Sequence, residues 1–253
     1  MTTTRTASAQ PGSEEGSRIP RRVLLKLSGE AFCSADGFGI ERDELRQIAD
    51  EIRSAREVGA EIAVVVGGGN IIRGAELARE GDIPQSTADY MGMLGTVING
   101  VALKEMLETL GVPTRLMSAI EIKAVAEPFI RGRALRHMEK GRVVILAAGT
   151  GNPFFTTDSC AALRASELDC DLLLKATKVD GVYTADPKKD PSATKYEELS
   201  YAQAIDQRLR VMDLTALAMC EERGIPVLVF DFWDKGSIRR VIEGDRSIGT
   251  RLS

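Results

Sequence analysis

Ile62-Ala63-Val64-Val65-Val66-Gly67-Gly68-Gly69-Asn70 runs from five apolar residues into three glycines and an amide. A short apolar run without polar alternation suits a strand buried on both faces of a parallel sheet. Glycine directly after such a strand falls where the carboxyl ends of a parallel sheet present ligand sites. The pattern recurs along the chain. Val23-Leu24-Leu25-Lys26-Leu27 leads into Ser28-Gly29-Glu30, and the run 143–147 leads into Gly149-Thr150-Gly151-Asn152-Pro153. The run 172–175 leads into Thr177-Lys178-Val179-Asp180-Gly181, and further apolar runs lie at 114–117 and 227–230.

Helical spacing fills the intervals, at 42–58, 87–110, 133–140, 159–167, 201–207 and 214–223. Gly59, Gly111, Gly141 and Gly224 follow four of these where a left-handed residue closes a helix. The alternation of strand and helix predicts an α/β fold, a three-layer α/β/α sandwich with a mainly parallel central sheet. Residues 1–20 are rich in Ser, Thr, Gly, Pro and Glu and lack an apolar secretory core, so they read as a disordered tail. The remainder, 21–253, reads as a single compact domain.

Composition excludes several functions. The chain has 253 residues, 43% hydrophobic and 28% charged, with a net charge of −4. It is long enough to bury a core without disulfides, and it lacks the basic field of a general nucleic-acid binder. His137 is the single histidine, so a zinc site needing two or more is impossible. Cys33, Cys160, Cys170 and Cys220 form no CxxC pair, which predicts reduced thiols in a cytoplasmic protein. No run approaches the roughly 18 apolar residues of a membrane span.

Glycine lets a backbone approach phosphate oxygens closely, and its N–H groups act with the positive end of the following helix. Lys26 and Arg73 add mobile and forked positive charge at two of the junctions. GxxxxGK[ST] is absent, and no GxGxxG opens a helix after a strand, so neither a P-loop nor a dinucleotide fold is expected. In Thr156-Thr157-Asp158, the aspartate either caps the helix from Ser159 or organises cations such as Lys26. The two threonine hydroxyls suit a phosphate at the same helix N-terminus. Tyr183, close to Asp186-Pro187, reads first as a ring packed on a turn.

These motifs in order resemble the bacterial UMP kinase family of the amino acid kinase superfamily, over about 22–250. The strings that carry the resemblance are 24–30 (LLKLSGE), 67–70 with Arg73-Gly74, Asp89-Tyr90-Met91-Gly92-Met93, 149–158 (GTGNPFFTTD) and 175–181 continuing to Asp186-Pro187. The resemblance implies transfer of the γ-phosphoryl group of ATP to UMP in pyrimidine nucleotide biosynthesis. It implies an ATP site of Lys26, Leu27, Ser28, Gly29, Gly69, Arg73, Thr177, Tyr183 and Asp186. It implies a UMP site of Gly68, Asp89, Thr150, Gly151, Asn152, Pro153, Phe154, Phe155, Thr156 and Thr157, with Asp89 suited to ribose hydroxyls. Lys26, Arg73 and Asp158 are the expected catalytic residues. Mg²⁺ would arrive with ATP and need few protein ligands. The resemblance also implies a homohexamer activated by GTP and inhibited by UTP, and it associates activation with Ser34, Ala35, Asp36, Gly37, Phe38 and Gly39. An amino acid or carbamate kinase of the same fold is the alternative, and a nucleotide sensor without activity is a second.

Overall fold

The computed structural model describes residues 21–34, 37–72, 81, 83–187, 189–209 and 211–253. The expectations for residues 1–20, Ala35, Asp36, Arg73 and Gly74 lie outside the described residues.

Nine described strands form one sheet in the order β4-β3-β5-β2-β1-β6-β8-β9-β7. They are β1 (Arg22–Leu27), β2 (Glu61–Val66), β3 (Thr114–Ser118), β4 (Glu127–Pro128), β5 (Val143–Ala147), β6 (Leu172–Thr177), β7 (Glu198–Leu199), β8 (Val227–Asp231) and β9 (Thr250–Leu252). Every described pairing is parallel except β8 with β9. The six runs expected from sequence are all strands. The three it did not anticipate, β4, β7 and β9, have two or three residues each, too few for an apolar run to show.

The described helices are α1 (Arg42–Glu57), α2 (Gln85–Thr109), α3 (Arg131–Glu139), α4 (Thr157–Glu167), α5 (Tyr201–Asp206), α6 (Leu214–Arg223) and α7 (Ser237–Ile242), with a 3-10 turn at Gly29–Phe32. Leu45, Ile48, Ala49, Ile52 and Ala55 form the buried stripe of α1, with acids in its first turn and Arg56 in its last, as the helix dipole favours. Gly59, Gly111, Gly141 and Gly224 all have positive φ, as their positions after helices predict.

Alternate residues of the longer strands feed two cores. Val23, Leu25 and Leu27 of β1 pack with residues of α1, α2 and α7 on one face. Leu24 packs with residues of α3, α4, α5 and α6 on the other, which gives the expected three layers. All four cysteines are buried and free. Among the described residues, no helix is long and apolar enough to cross a membrane.

Candidate active site

Lys26 and Lys175 break an otherwise apolar row across the sheet. Register places Val65, Lys26, Lys175 and Val229 side by side on β2, β1, β6 and β8. Both ammonium groups turn to one carboxylate: Lys26 Nζ lies 3.0 Å from Asp158 Oδ1, and Lys175 Nζ donates to Asp158 Oδ2 at 2.7 Å. The Lys175 ammonium also donates to the Val211 carbonyl.

Asp158 is free to do this because it does not cap its helix. Thr156 is the N-cap of α4, its Oγ1 accepting from Asp158 N at 3.1 Å and Ser159 N at 3.2 Å. The helix starts at Thr157 rather than Ser159, so of the two readings left open by the sequence the organiser of cations is the one observed. Burial works to raise the Asp158 carboxyl, but the charges of Lys26 and Lys175 outweigh it and hold it below the usual carboxylate range. Burial pushes the Lys175 ammonium down, and the like charge of Lys26 adds to that against the pull of Asp158. Two cations against one anion leave the trio with a positive charge to spare, at the N-terminal end of α4 where an anion is already favoured.

A second carboxylate locks the neighbouring helix in place. Asp213 caps α6 by accepting from Ala216 N at 2.9 Å. It also accepts from Ser159 Oγ at 2.9 Å and from the Thr156 hydroxyl, so the N-termini of α4 and α6 are joined.

The glycine loops after β1 and β2 press on each other. A Cβ on Gly29 would stand 2.4 Å from Gly69 N, and one on Gly68 would stand 2.6 Å from the Gly92 carbonyl oxygen in α2. Gly69 differs, since a Cβ there would meet nothing within 4 Å. Beneath the loops, Asn99 Nδ2 donates to the Gly67 carbonyl at 2.7 Å and to Asn70 Oδ1 at 2.7 Å. Asn70 Nδ2 in turn donates to the Gly39 carbonyl at 2.6 Å, and Gly39 N returns a bond to the Asn70 carbonyl at 2.8 Å. The described part of the segment expected to respond to GTP is therefore tied to the loop after β2. Within it, Ser34 donates to Glu41 Oε1 at 2.8 Å and accepts, at its carbonyl, from Gly37 N at 2.9 Å, while Phe38 is exposed.

Asp89, on α2, reaches the loop after β5. Its Oδ2 accepts from Phe154 N at 2.8 Å and its Oδ1 from Gln85 Nε2 at 2.7 Å. The loop holds Phe154 at φ 71, an unfavourable conformation for a bulky residue, and leaves Phe154 73% and Phe155 54% exposed. Asn152 N donates to Thr150 Oγ1 at 3.2 Å within the same turn. After β6, Thr177 Oγ1 lies 2.7 Å from the Val179 carbonyl oxygen, Tyr183 donates to Asp180 Oδ1 at 2.8 Å, and Asp186 pairs with Lys189 at 3.8 Å.

The structure thus brings together Lys26 with Asp158, Ser28 and Gly29 with the loop 67–70, and Asp89 with Phe154. Arg73 lies outside the described residues. Sequence reading missed Lys175 and Asp213. The signal for Lys175 was available, since Leu173-Leu174-Lys175 repeats Leu24-Leu25-Lys26 on a neighbouring strand.

A parallel sheet with glycine loops after two adjacent strands and a lysine pair held at the N-terminus of a helix has the parts that binding phosphoryl groups requires. Residues 21–231 match the Amino acid kinase family, and the chain belongs to that family. It is 52% identical over 246 residues to a uridylate kinase of Salinibacter ruber, covering 97% of this chain and 94% of that one. It is 55% identical over 234 residues to the uridylate kinase of Methylococcus capsulatus, covering 92% and 97% respectively. The solved UMP kinase of Bacillus anthracis superposes with a TM-score of 0.90 at 41% identity, over 93% of this chain and 97% of that chain.

Proposed function

We propose that the protein transfers the γ-phosphoryl group of ATP to UMP, giving UDP and ADP, with residues 21–253 acting as one catalytic unit. The observation that carries this reading is the Lys26–Asp158–Lys175 trio, with the β1 and β2 glycine loops packed on each other and Asp89 bonded to the loop after β5 that leads into Asp158. The uridylate kinases that the chain resembles support it. Phosphate oxygens of ATP are held by Lys26, Leu27, Ser28, Gly29, Gly69 and Arg73, and its nucleoside by Thr177, Tyr183 and Asp186. UMP is held by Gly68, by Asp89 on the ribose hydroxyls, and by residues 150–157.

Phosphoryl transfer passes through a loose transition state that needs alignment and charge neutralisation more than covalent help. The ammonium groups of Lys26 and Lys175 face the transferred group and its bridging oxygen, and Asp158 keeps both at fixed positions. The acceptor is a phosphate oxygen, already anionic at neutral pH, so no side chain has to remove a proton. Among the described residues no carboxylate cluster suits a metal, and both oxygens of Asp158 face ammonium groups. Mg²⁺ would arrive with ATP and supply further charge neutralisation, while Asp158 keeps the Lys26 and Lys175 ammonium groups in place.

We infer the finer features on the same footing: a cytoplasmic homohexamer, activated by GTP and inhibited by UTP. The exposed line Tyr90, Leu94 and Ile98 on α2 supports self-association, and the Gly39–Asn70 clamp supports an effect of the 34–39 segment on the phosphate loops. The deciding assay follows ADP formation from Mg-ATP with UMP, CMP, dTMP, aspartate, glutamate or carbamate offered singly. UMP as the best acceptor is expected, and preference for a carboxylate or carbamate would refute the assignment.

A further inference from the structure

Arg164, on the inner face of α4, is only 5% exposed. Three contacts of its guanidinium bear on its role: Nη1 donates to Glu167 Oε2 at 2.6 Å, Nη2 donates to the Gly149 carbonyl at 3.3 Å, and the Cζ atom lies 3.9 Å from the centre of the Phe129 ring. Burying a guanidinium is unfavourable unless its charge and N–H groups are matched, and an apolar side chain of similar length would fill the space without that cost. Two of the contacts, Glu167 and Phe129, compensate the burial. The third leads to the site.

Gly149 and Ala148 are successive left-handed residues, with φ of 57 and 61. For alanine this conformation is unfavourable and persists only where its surroundings impose it. Ala148 N donates to Thr96 Oγ1 of α2 at 2.6 Å, the Ala148 carbonyl accepts from Gly151 N at 2.9 Å, and the Gly149 carbonyl accepts from Arg164. The turn is pinned to α2 on one side and to α4 on the other. From it the loop departs toward Asp89, which sits on the same helix as Thr96.

We propose that Arg164 is a positioning residue for the acceptor: by holding the Gly149 carbonyl it fixes the Ala148–Gly149 turn, so that residues 150–157 and Asp89 face the acceptor in one arrangement. The inference rests on reading that loop as the acceptor site. Arg164 acts through the loop without touching substrate, so its loss weakens acceptor binding and spares ATP.

The test compares Arg164→Met, Arg164→Lys and Glu167→Gln in the full-length protein. Arg164→Met is expected to raise KM for UMP about tenfold while KM for ATP stays within about twofold. Arg164→Lys, which keeps a donor on a shorter reach, recovers part of the loss and carries the test alone if the methionine variant does not fold. Glu167→Gln removes the ion pair and leaves the Gly149 contact, so it lowers Tm without changing KM for UMP. In parallel, hydrogen exchange of the Gly151 and Phe154 amides is followed without ligand, and it accelerates at least about tenfold in Arg164→Met. A wild-type protein inactive toward UMP would defeat the proposed function, while the exchange experiment would still judge Arg164. Unchanged exchange, or equal changes in the two KM values, overturns the proposal.

Discussion

Lys26 and Lys175 are register partners on adjacent parallel strands, and Asp158 occupies the space between their ammonium groups. Two like charges on neighbouring strands are tolerated because one carboxylate answers both. The arrangement predicts that Lys175 matters to turnover as much as Lys26. Lys175→Met and Lys26→Met should each lower kcat by about 10²-fold, the usual effect of removing one stabiliser of transition-state charge. The double variant should lose less than the product of the single losses, since the pair works as a unit. Near-normal kcat for a folded Lys175→Met would remove the lysine from the mechanism.

The glycines separate structural from binding effects. Gly29→Ala puts a methyl group 2.4 Å from the Gly69 backbone nitrogen and should lower stability by about 3 kcal/mol, the upper part of the range for overpacking. Gly69→Ala meets no atom within 4 Å, so it should keep the wild-type Tm yet raise KM for ATP by crowding the phosphates. Thermal melts paired with ATP titrations check both. Equal Tm losses in the two variants would contradict the distinction.

Asp89→Ala should raise KM for UMP between about 10-fold and 100-fold, the worth of a hydrogen bond to a charged group. It also frees the Phe154 amide, so the loop should become more protease-sensitive. Because the proposed contact is to ribose, Asp89→Ala should erase any preference between UMP and dUMP. Persistence of that preference would place ribose recognition elsewhere.

Stability should respond to pH in opposite directions at two acids, Asp158 and Glu51. The Asp158 carboxyl is held down in the folded state, so its contribution is present above the unfolded value near 3.9 and fades as pH falls through the lower folded value. Glu51 on α1 is buried and accepts from Gly236 N at 2.7 Å through Oε1. Burial raises its carboxyl, so its contribution is present below the unfolded value and is lost as pH rises through the folded one. Glu51→Gln should therefore gain on wild type as pH climbs from 4 to about 7 in urea titrations, given the unfolded Glu value near 4.3. A pH-independent difference between the two proteins would exclude this origin.

The strands and most helices were legible because buried parallel strands advertise themselves as apolar runs and glycines mark helix ends. The 143–147 strand and the helix at Leu214–Arg223 fall where the pattern places them. Others shift by a residue or two; α2 starts at Gln85, because Pro84 opens a helix that apolar spacing reveals only later. The sequence also placed Lys26 beside the glycine loops, and the family resemblance added Asp89 to them. Lys175 escaped because a single lysine at the end of an apolar run looks like the end of the strand, and only the register with Lys26 gives it a partner. Asp213 escaped for a similar reason: its hydroxyl donors, Thr156 and Ser159, are 57 and 54 residues away.

The strand order has a consequence for how such a protein diversifies. β1 pairs with β2 on one side and β6 on the other, so it is a spine between two wings. Under the proposed assignments, the wing of β2 and β5 reads the acceptor and the wing of β6 and β8 reads the nucleoside of the donor. Asp158 springs from the acceptor wing, yet its carboxylate stitches the spine to the donor wing through Lys26 and Lys175. Asp89 and the loop that it holds can drift toward a new acceptor while that stitch stays unchanged. One wing is thereby open to innovation at little risk to the chemistry of the seam.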